Sequence, residues 1–404
     1  MDTTTNAPSA GGAGRLIIVP EQPAVGDLVH SVGESRNRDD CVLYSSRLDF
    51  ALVNEVLNAQ SISAVVVSAR EFADHARKML QEAGIALVVH DETPVDGTDV
   101  RCVVDASGFT ILRPGVPISA ICSVMNDRNL REYRRFGITD LGYYRFKFCL
   151  FQLFCLEPEA YFDADRIEEF LLAQLRELGS QHWTSIRCVL SDPTSAELAE
   201  MGVDVPREAN PDLGVRGPRL MERWVPELGA IRRFMEESPI RIQICAPFVS
   251  NADEYKAFLA AIEASGIDLD RIRVGFTLEV PAMADTLPDL LAELRVDFVG
   301  IGTSDLFALY NGVDRSNPGL TVVPSSLANT TLLRRIVSAA AAHDVQMFVC
   351  GDVRRNEELM TALIREGVGE LITSARIDEL VDVTRLSHAS AVGSSVAITR
   401  TSGE

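Results

Sequence analysis

The segment RIRVGFTLEVPAMAD, residues 271–285, begins the part of the chain that decides the fold. Two further segments complete it: VDFVGIGTSDLFALYNGVDRSN at 296–317 and VQMFVCGD at 345–352. Each contains a short run rich in Val, Ile or Phe that ends on a polar residue beside Gly or Pro, the pattern of a buried strand. Because ligands bind at the carboxyl ends of strands in parallel sheets and barrels, we expect one pocket to collect four side chains: Glu279, Asp305, Arg315 and Cys350.

The chemistry of these residues favours a metal and an anion in the same pocket. The carboxylates of Glu279 and Asp305 suit a hard cation such as Mg²⁺, and the guanidinium of Arg315 suits an anionic oxygen. The chain has eight cysteines. Seven are predicted to be reduced and buried, whereas Cys350 ends a strand beside Gly351. Cys350 is therefore the only cysteine expected to have a chemical task, with a thiol pKa lowered by nearby cations.

The same segments resemble the barrel of the phosphoenolpyruvate-utilising enzymes, the family of phosphoenolpyruvate synthase, pyruvate phosphate dikinase and enzyme I of the sugar phosphotransferase system. The matching motifs are LEVPAMA, GIGTSDLFALYNGVDRSN and VCGD. The resemblance implies that Glu279 and Asp305 hold Mg²⁺ or Mn²⁺. It also implies that Arg315 binds phosphate and that Cys350 exchanges a proton with the methylene group of the enolate.

Two departures from the family pattern fall beside these residues. Ser304 stands where the family has Asn before the metal-binding Asp, and Asp352 stands where it has Glu or Gln after Cys-Gly. Both are expected to contact the substrate.

Two further segments carry arginines that the resemblance places around the substrate. DLGYYRFKFCLFQL, residues 140–153, resembles the family's G-L-x-R-x-E-F-L, which gives the substrate-binding role to Arg145 and puts Lys147 where the family has Glu. NPDLGVRGPRL, residues 210–220, resembles N-P-x-L-G-x-R-G-x-R. That match implies a second phosphate-binding arginine at Arg216, with Arg219 as a supporting residue.

One catalytic position is altered. WTSIRCVLSDPTSAELAEM, residues 183–201, resembles the family's R-L-S-D strand end, with Asp192 in register and Val189 at the catalytic arginine. A valine cannot neutralise a phosphoryl group. Arg187 lies two residues earlier on the same strand face, about 7 Å away. Its side chain is long enough to cover part of that distance, so Arg187 is included among the candidate substrate-binding residues.

The first ordered part of the chain, residues 15–114, alternates strand-like and helical patterns and predicts a small α/β domain. It resembles the family's swivelling phosphohistidine domain, and the alignment puts His75 at the phosphorylated histidine. The family's G-G-x-T-S before that histidine is replaced by residues 70–74, Arg-Glu-Phe-Ala-Asp. This replacement removes the glycines, which let backbone amides approach the phosphate. It also removes the hydroxyl groups that donate hydrogen bonds to it. We interpret His75 as a solvated residue in the first turn of a helix and prefer this interpretation to that of a phosphate carrier.

The predicted fold class is α/β, with this small domain followed by a (β/α)8 TIM barrel over residues 118–386. The barrel assignment follows from alternating strand and helix patterns and from the ordered family motifs. Residues 1–14 and 387–404 are small and polar, and we predict that they are disordered tails.

Composition limits the partners. A net charge of −20 disfavours nucleic acid, and no apolar run is long enough to span a membrane. No signal peptide is recognisable, so the expected location is the cytoplasm. The family's ATP-binding domain has no counterpart here, and nucleotide chemistry would need a separate ATP-binding subunit. A homodimer is expected from the resemblance alone.

Three functions remain open at this level. The first is Mg²⁺-dependent chemistry on phosphoenolpyruvate, pyruvate or a related enolisable 2-oxo acid in the barrel, with the phosphohistidine relay degenerate. The second is a phosphotransferase that moves phosphate between phosphoenolpyruvate and His75 and on to an unknown acceptor. The third is a non-catalytic relative that binds a partner. Two observations favour the first and third functions: the altered loop before His75, and the valine at position 189. The retained pocket residues disfavour the third.

Overall fold

The computed structural model describes residues 15–20, 22–38, 40–68, 74–90, 101–105, 108–112, 116–122, 127–317, 319–351, 354, 356–376 and 378–387. Most of the predicted tails, at 1–14 and 388–404, lies outside these residues, as do residues 69–73 and Asp352. Contacts divide the chain into two compact units that meet in sequence near position 115, with residues 380–387 grouped with the first unit. Within the described residues, no helix combines the length and the hydropathy needed to cross a membrane.

The first unit is built on a seven-stranded mixed sheet in the order β1-β5-β4-β3-β2-β6-β7. Its strands are β1 (Arg15–Ile18), β2 (Ala24–Val29), β3 (Cys41–Ser45), β4 (Ile62–Val67), β5 (Ala86–Val89), β6 (Arg101–Asp105) and β7 (Gly108–Leu112). The pairs within β2-β3-β4-β5 are parallel, and β1, β6 and β7 join antiparallel. Helices α1 (Phe50–Asn58) and α2 (Asp74–Glu82) complete an α/β unit, as predicted.

Alternation along these strands creates two apolar layers. Cys41, Leu43 and Val65 belong to one buried cluster, which also includes side chains from α1 and α2. Their sequence neighbours Val42 and Ala64 belong to a second cluster, because successive strand residues point to opposite faces.

The second unit is the predicted parallel barrel. Its eight strands follow the order β14-β13-β12-β11-β10-β9-β8-β15. They are β8 (Ile118–Cys122), β9 (Asp140–Arg145), β10 (Ser185–Val189), β11 (Arg241–Ala246), β12 (Arg273–Leu278), β13 (Phe298–Gly302), β14 (Gln346–Cys350) and β15 (Leu371–Thr373). A parallel bridge between Phe348 and Glu370 brings the first and last strands of this order together. The (β/α)8 prediction is thereby confirmed.

Helices alternate with these strands. They are α3 (Asp127–Arg135), α4 (Phe146–Leu156), α5 (Ala164–Gly179), α6 (Ser195–Glu200), α7 (Met221–Glu237), α8 (Ala252–Ala264), α9 (Pro281–Glu293), α10 (Thr303–Tyr310), α11 (Leu327–Ala342) and α12 (Glu357–Glu366). Residues 378–387 are also helical. Inside the barrel, Tyr143, Phe298 and Phe348 pack with other inward side chains, including Val189 and Cys350. The connections that leave the carboxyl ends of the strands surround a cavity above this layer.

Seven of the eight cysteines are buried, and Cys155 is exposed. The prediction that every cysteine other than Cys350 is buried is therefore wrong at Cys155. This residue lies near the end of α4, where helical periodicity turns it away from the buried residues Cys149 and Leu153.

Candidate functional site

A cavity of about 270 Å³ lies at the carboxyl ends of the barrel strands. Its charged lining comprises five cationic and three acidic side chains: Arg145, Lys147, Arg216, Arg315, Arg354, Asp192, Glu279 and Asp305. Ser304, Tyr143, Val189 and Cys350 also line it. The four side chains expected to converge from the fold-deciding segments are thus in one cavity, and an excess of positive charge makes it suitable for an anion.

Glu279 follows β12 directly and is held by the backbone. Its Oε2 accepts a hydrogen bond of 2.8 Å from the amide of Phe248, whose φ of 54° is unusual for a residue with a side chain. Gly302 leaves room for this carboxylate, because an added Cβ would stand 2.4 Å from Glu279 Cγ. Burial, reinforced by the negative charge of Asp305, raises the pKa of Glu279 above its usual value.

Asp305 lies in the first turn of α10, beyond the end of β13. Arg315 Nη1 donates to its Oδ1, and Arg216 Nη2 lies 3.4 Å from its Oδ2. Burial alone would raise the pKa of Asp305, but the two guanidinium groups outweigh burial and lower it. The cavity therefore pairs one carboxylate that resists ionisation with another that is held ionised.

Arg216 is a buried cation in the cavity wall, with a side chain that is 4% exposed. Its Nη2 donates to Asp192 over 2.7 Å, and its guanidinium carbon lies 4.1 Å from the centre of the Phe248 ring. Its Nε is buried and has no hydrogen-bond partner within the described part of the chain. A buried donor without a partner is costly, so the ion pair with Asp192 and the contact with the Phe248 ring have to offset this cost.

Cys350 ends β14 and is 8% exposed. Burial, together with the charge of Glu279, raises the pKa of its thiol to about 12, while Arg354 and Arg145 lower it by less. The expected lowering of this pKa by cations is therefore wrong, because burial outweighs the nearby arginines. The thiol is protonated at neutral pH and suits an acid better than a nucleophile.

Arg145 ends β9 and lines the cavity, with its guanidinium 4.5 Å from the centre of the Phe148 ring. Ser304 also lines the cavity, within the first turn of α10. The neighbouring Thr303 donates to the carbonyl of Cys350 over 2.7 Å, which ties α10 to the end of β14. Gly351, with a φ of +85°, allows this contact because a Cβ there would stand 2.4 Å from Thr303 Oγ1.

Arg187 does not line the cavity, and the prediction that it contacts substrate is corrected. Its side chain is 1% exposed and forms an ion pair of 2.7 Å with Glu370 inside the barrel. It also donates to Gln243 and to the carbonyl of Gly142, and it stacks against the rings of Phe298 and Phe348. With its donors occupied in the core, Arg187 leaves the charge missing at Val189 uncompensated.

Arg219 also lies outside the cavity lining. It donates to the carbonyl of Gly214 over 2.8 Å and to Ser250, and it is 41% exposed. Its contacts fix the loop that carries Arg216, so it supports the site without lining it. In the first unit, His75 is exposed on the first turn of α2. The residues before it, 69–73, lie outside the described residues, and so does Asp352 of the second unit.

Sequence reasoning did not name Tyr143 or Arg354, and it gave no site role to Lys147 or Asp192, although all four line the cavity. Tyr143 lies two positions before Arg145 on β9, so strand alternation could have placed it on the same inward face. Burial, with Cys350 and Glu279 nearby, raises its pKa well above 10, so the phenol is protonated. Arg354 follows Cys350 by four residues and is held by Glu379. No motif marked it.

The donor set fits a hard divalent cation bound through few protein ligands. Among the described residues, no three His, Cys, Asp or Glu side chains are grouped to hold a metal, which leaves the pair Glu279 and Asp305. Mg²⁺ and Mn²⁺ accept one or two carboxylates with the remaining positions filled by water and substrate oxygens. The buried Asp305 and the half-buried Glu279, both in one cavity, meet that requirement.

Residues 110–388 match the family described as PEP-utilising enzyme, PEP-binding domain. The chain belongs to this family. Every residue that lines the cavity lies inside the segment matched to the PEP-utilising enzymes. A probable phosphoenolpyruvate synthase of Archaeoglobus fulgidus is 27% identical over 215 residues, which are 51% of this chain and 28% of that protein. The multiphosphoryl transfer protein of Xanthomonas campestris pv. campestris is 34% identical over 178 residues, 42% of this chain and 21% of that protein.

The chain thus spans 28% or less of the length of these two curated relatives. Among solved structures, the magnesium/glyoxylate complex of Haloferax volcanii malate synthase is 13% identical, with 72% of this chain and 78% of that chain covered at a TM-score of 0.40.

Proposed function

We propose that the barrel binds phosphoenolpyruvate, pyruvate or a related enolisable 2-oxo acid and interconverts the enolate and keto forms. Support comes from one observation above all: the protonated thiol of Cys350 lines the same cavity as the carboxylates and arginines. A cation-rich wall and an acid in one cavity provide what an enolate needs, which is charge stabilisation and a proton.

The anion would be held by arginines from three connections. Arg145 ends β9 and leads into the first of these connections, Arg216 precedes α7, and Arg315 follows α10. The planar donor fork of each suits a carboxylate or phosphate. Arg216 is 4% exposed and pairs with Asp192, so its guanidinium is held in place in the cavity wall.

Glu279 and Asp305 would hold a divalent metal. When bound, such a metal supplies positive charge at the enolate oxygen. Asp305, which accepts from Arg315 and lies near Arg216, would supply one carboxylate, and these two arginines would be available to the substrate anion. Glu279, whose pKa is raised by burial, would supply the other carboxylate and would have to release its proton to do so.

Cys350 would carry the proton. Its S–H bond breaks as a new C–H bond forms at the enolate methylene, which yields the methyl group of the 2-oxo acid and a thiolate. In the reverse direction the thiolate takes a methyl proton. Because burial raises the pKa of Cys350 to about 12, the thiolate is scarce at neutral pH, and proton exchange from pyruvate is expected to accelerate as pH rises.

Exchange of the methyl protons of pyruvate in deuterated water, followed by NMR with Mg²⁺ present, tests this proposal. Wild type is expected to catalyse the exchange, and Cys350→Ala to lose it while retaining the fold. Cys155→Ala, which changes an exposed thiol, serves as the matched control and is expected to match wild type. Equal rates in Cys350→Ala and wild type would remove Cys350 from the acid–base role.

The alternative is a phosphotransferase in which His75 carries phosphate. It requires another positive charge in place of the family's catalytic arginine, because Val189 occupies that position. Its support is the exposure of His75 on the first turn of α2 and the similarity to a multiphosphoryl transfer protein. Val189, which lines the cavity, makes this the weaker proposal because a neutral side chain cannot stabilise a transferring phosphoryl group.

A further inference from the structure

Lys147 is a cation of the cavity that none of the roles above uses. It is the second residue of α4, whose first turn faces the cavity beside Arg145. Its side chain is 15% exposed. A lysine in this position pairs a mobile ammonium with the positive end of a helix, so the surrounding field favours an anion.

The ammonium group is loosely held. It lies 3.4 Å from Asp192 Oδ1 and 3.3 Å from Glu197 Oε1, both longer than the roughly 2.7–2.9 Å of a strong charged hydrogen bond. Each carboxylate has a closer partner: Asp192 accepts from Arg216 over 2.7 Å, and Glu197 accepts from the amide of Thr194 over 2.8 Å. Lys147 can therefore turn to a ligand without leaving either carboxylate unpaired.

Lys147 and Arg315 enter the cavity from strands on opposite sides of the barrel. Lys147 follows β9, and Arg315 follows β13 through α10. In the closed order of eight strands, β9 and β13 are four strands apart in either direction. Ion pairs through Asp192, Arg216 and Asp305 connect the two cations. A ligand with two anionic groups can contact cations that a ligand with one anionic group leaves unbound.

Strand β10, which pairs with β9, contributes no cationic side chain to the cavity. Val189, at the end of β10, pairs in register with Arg145 of β9 and lines the cavity with a neutral side chain. Arg187 of the same strand is committed to Glu370 in the core. Arg145 and Lys147 are therefore the cations that β9 and the start of α4 bring to the cavity, beside Arg216, which binds Asp192.

We propose that Lys147 binds a second anionic group of the substrate, a phosphate or a second carboxylate, and that it selects substrates with two such groups over pyruvate. The inference rests on the proposed function, since it assigns the substrate class of the same cavity. Lys147 is then a specificity-determining residue, and Arg315 binds the opposite end of the ligand.

Calorimetric titration with four probes in the presence of Mg²⁺ tests the proposal. The probes are phosphoenolpyruvate, oxaloacetate, pyruvate and inorganic phosphate, so that a phosphate and a second carboxylate are measured separately. Lys147→Met removes the charge at nearly constant length, Lys147→Arg restores it, and Lys256→Met changes a half-exposed lysine outside the cavity as the matched control.

The expected result is that Lys147→Met weakens phosphoenolpyruvate or oxaloacetate by about tenfold or more and leaves pyruvate within about twofold. Lys147→Arg and Lys256→Met are expected to behave as wild type. If wild type binds these acids and Lys147→Met binds them equally well, the role of Lys147 is overturned while the proposed function stands. If wild type binds phosphate through Lys147 but none of the three acids, the anion site stands and the proposed function fails. If wild type binds pyruvate but neither doubly anionic acid, the role of Lys147 is overturned and the proposed function stands. Absence of binding by all four probes overturns both.

Discussion

The Nη2 of Arg216 lies 3.4 Å from the Oδ2 of Asp305. The same nitrogen lies 2.7 Å from Asp192, and Arg315 donates to the other oxygen of Asp305. A cation bound at Asp305 would compete with both arginines for one carboxylate. Metal binding and substrate anion binding are therefore expected to be coupled, with each ligand increasing the affinity for the other.

Asp305→Asn is expected to weaken Mn²⁺ binding by at least about tenfold, because it removes one of the two carboxylates available to a hard cation. Titration followed by electron paramagnetic resonance measures the free Mn²⁺ directly. Asp314→Asn makes the same charge change on an exposed loop residue whose carboxylate caps the amide of Ser316, and it should bind Mn²⁺ like wild type. Unchanged affinity in Asp305→Asn would exclude this residue from the metal site.

Metal affinity is also expected to depend on pH through Glu279. Burial and the charge of Asp305 raise the pKa of Glu279, so that over the range below this raised pKa the metal must displace a proton. Affinity for Mn²⁺ should then rise by about tenfold per pH unit and level off above the raised pKa. Glu279→Gln should bind weakly at every pH and lose the slope. A wild-type affinity that is independent of pH would contradict the role of Glu279.

The buried pair of Arg187 and Glu370 is expected to stabilise the barrel. Arg187→Met leaves the carboxylate of Glu370, whose side chain is 3% exposed, without its cation and should cost about 3–5 kcal/mol in the free energy of unfolding. Arg176→Met breaks an exposed pair with Glu237 and should change the free energy of unfolding far less, because water screens exposed charges. Urea unfolding compares the two variants, and equal costs would show that burial of the Arg187 pair contributes nothing.

Glu227 predicts a pH dependence of stability. This carboxyl group on α7 accepts hydrogen bonds from the amide and hydroxyl of Ser191, and burial raises its pKa from 4.5 to about 8. The folded state therefore holds a proton that the unfolded state releases, so stability falls as pH rises between these two values and changes little above about 8.

Glu227→Gln mimics the protonated carboxyl group and should abolish this part of the pH dependence. Thermal unfolding at a series of pH values measures the effect, and the variant should be more stable than wild type at the alkaline end. Glu222→Gln, an exposed change on the same helix, is the control. Parallel stability profiles for Glu227→Gln and wild type would contradict the raised pKa.

The sequence predicted those parts of the site that depend on local pattern. Buried runs that end on Glu279 and Cys350 are strands in the structure, and parallel strands bring their carboxyl ends together. Asp305 was expected at a strand end and lies instead in the first turn of α10. The cavity is the same, since the helix starts where β13 stops.

Arg187 was wrongly expected to contact substrate, because its partner is distant in sequence and cannot be recognised from a local pattern. Strand periodicity correctly put Arg187 and Val189 on the inward face. Arg187 points into the core because Glu370, 183 positions later, supplies a buried partner at 2.7 Å. The thiol of Cys350 was misjudged for a related reason, because its burial is set by residues from other strands.

The central claim is that chemistry takes place in the barrel while His75 carries no phosphate. Incubation with isotopically labelled phosphoenolpyruvate and Mg²⁺, followed by measurement of acid-labile phosphate on wild type and on His75→Ala, tests it most directly. We predict label far below one equivalent and equal in the two proteins, because the residues before His75 lack the glycines and hydroxyls that bind phosphate. Stoichiometric, acid-labile label on wild type that is absent from His75→Ala would contradict the account and identify a working phosphate relay.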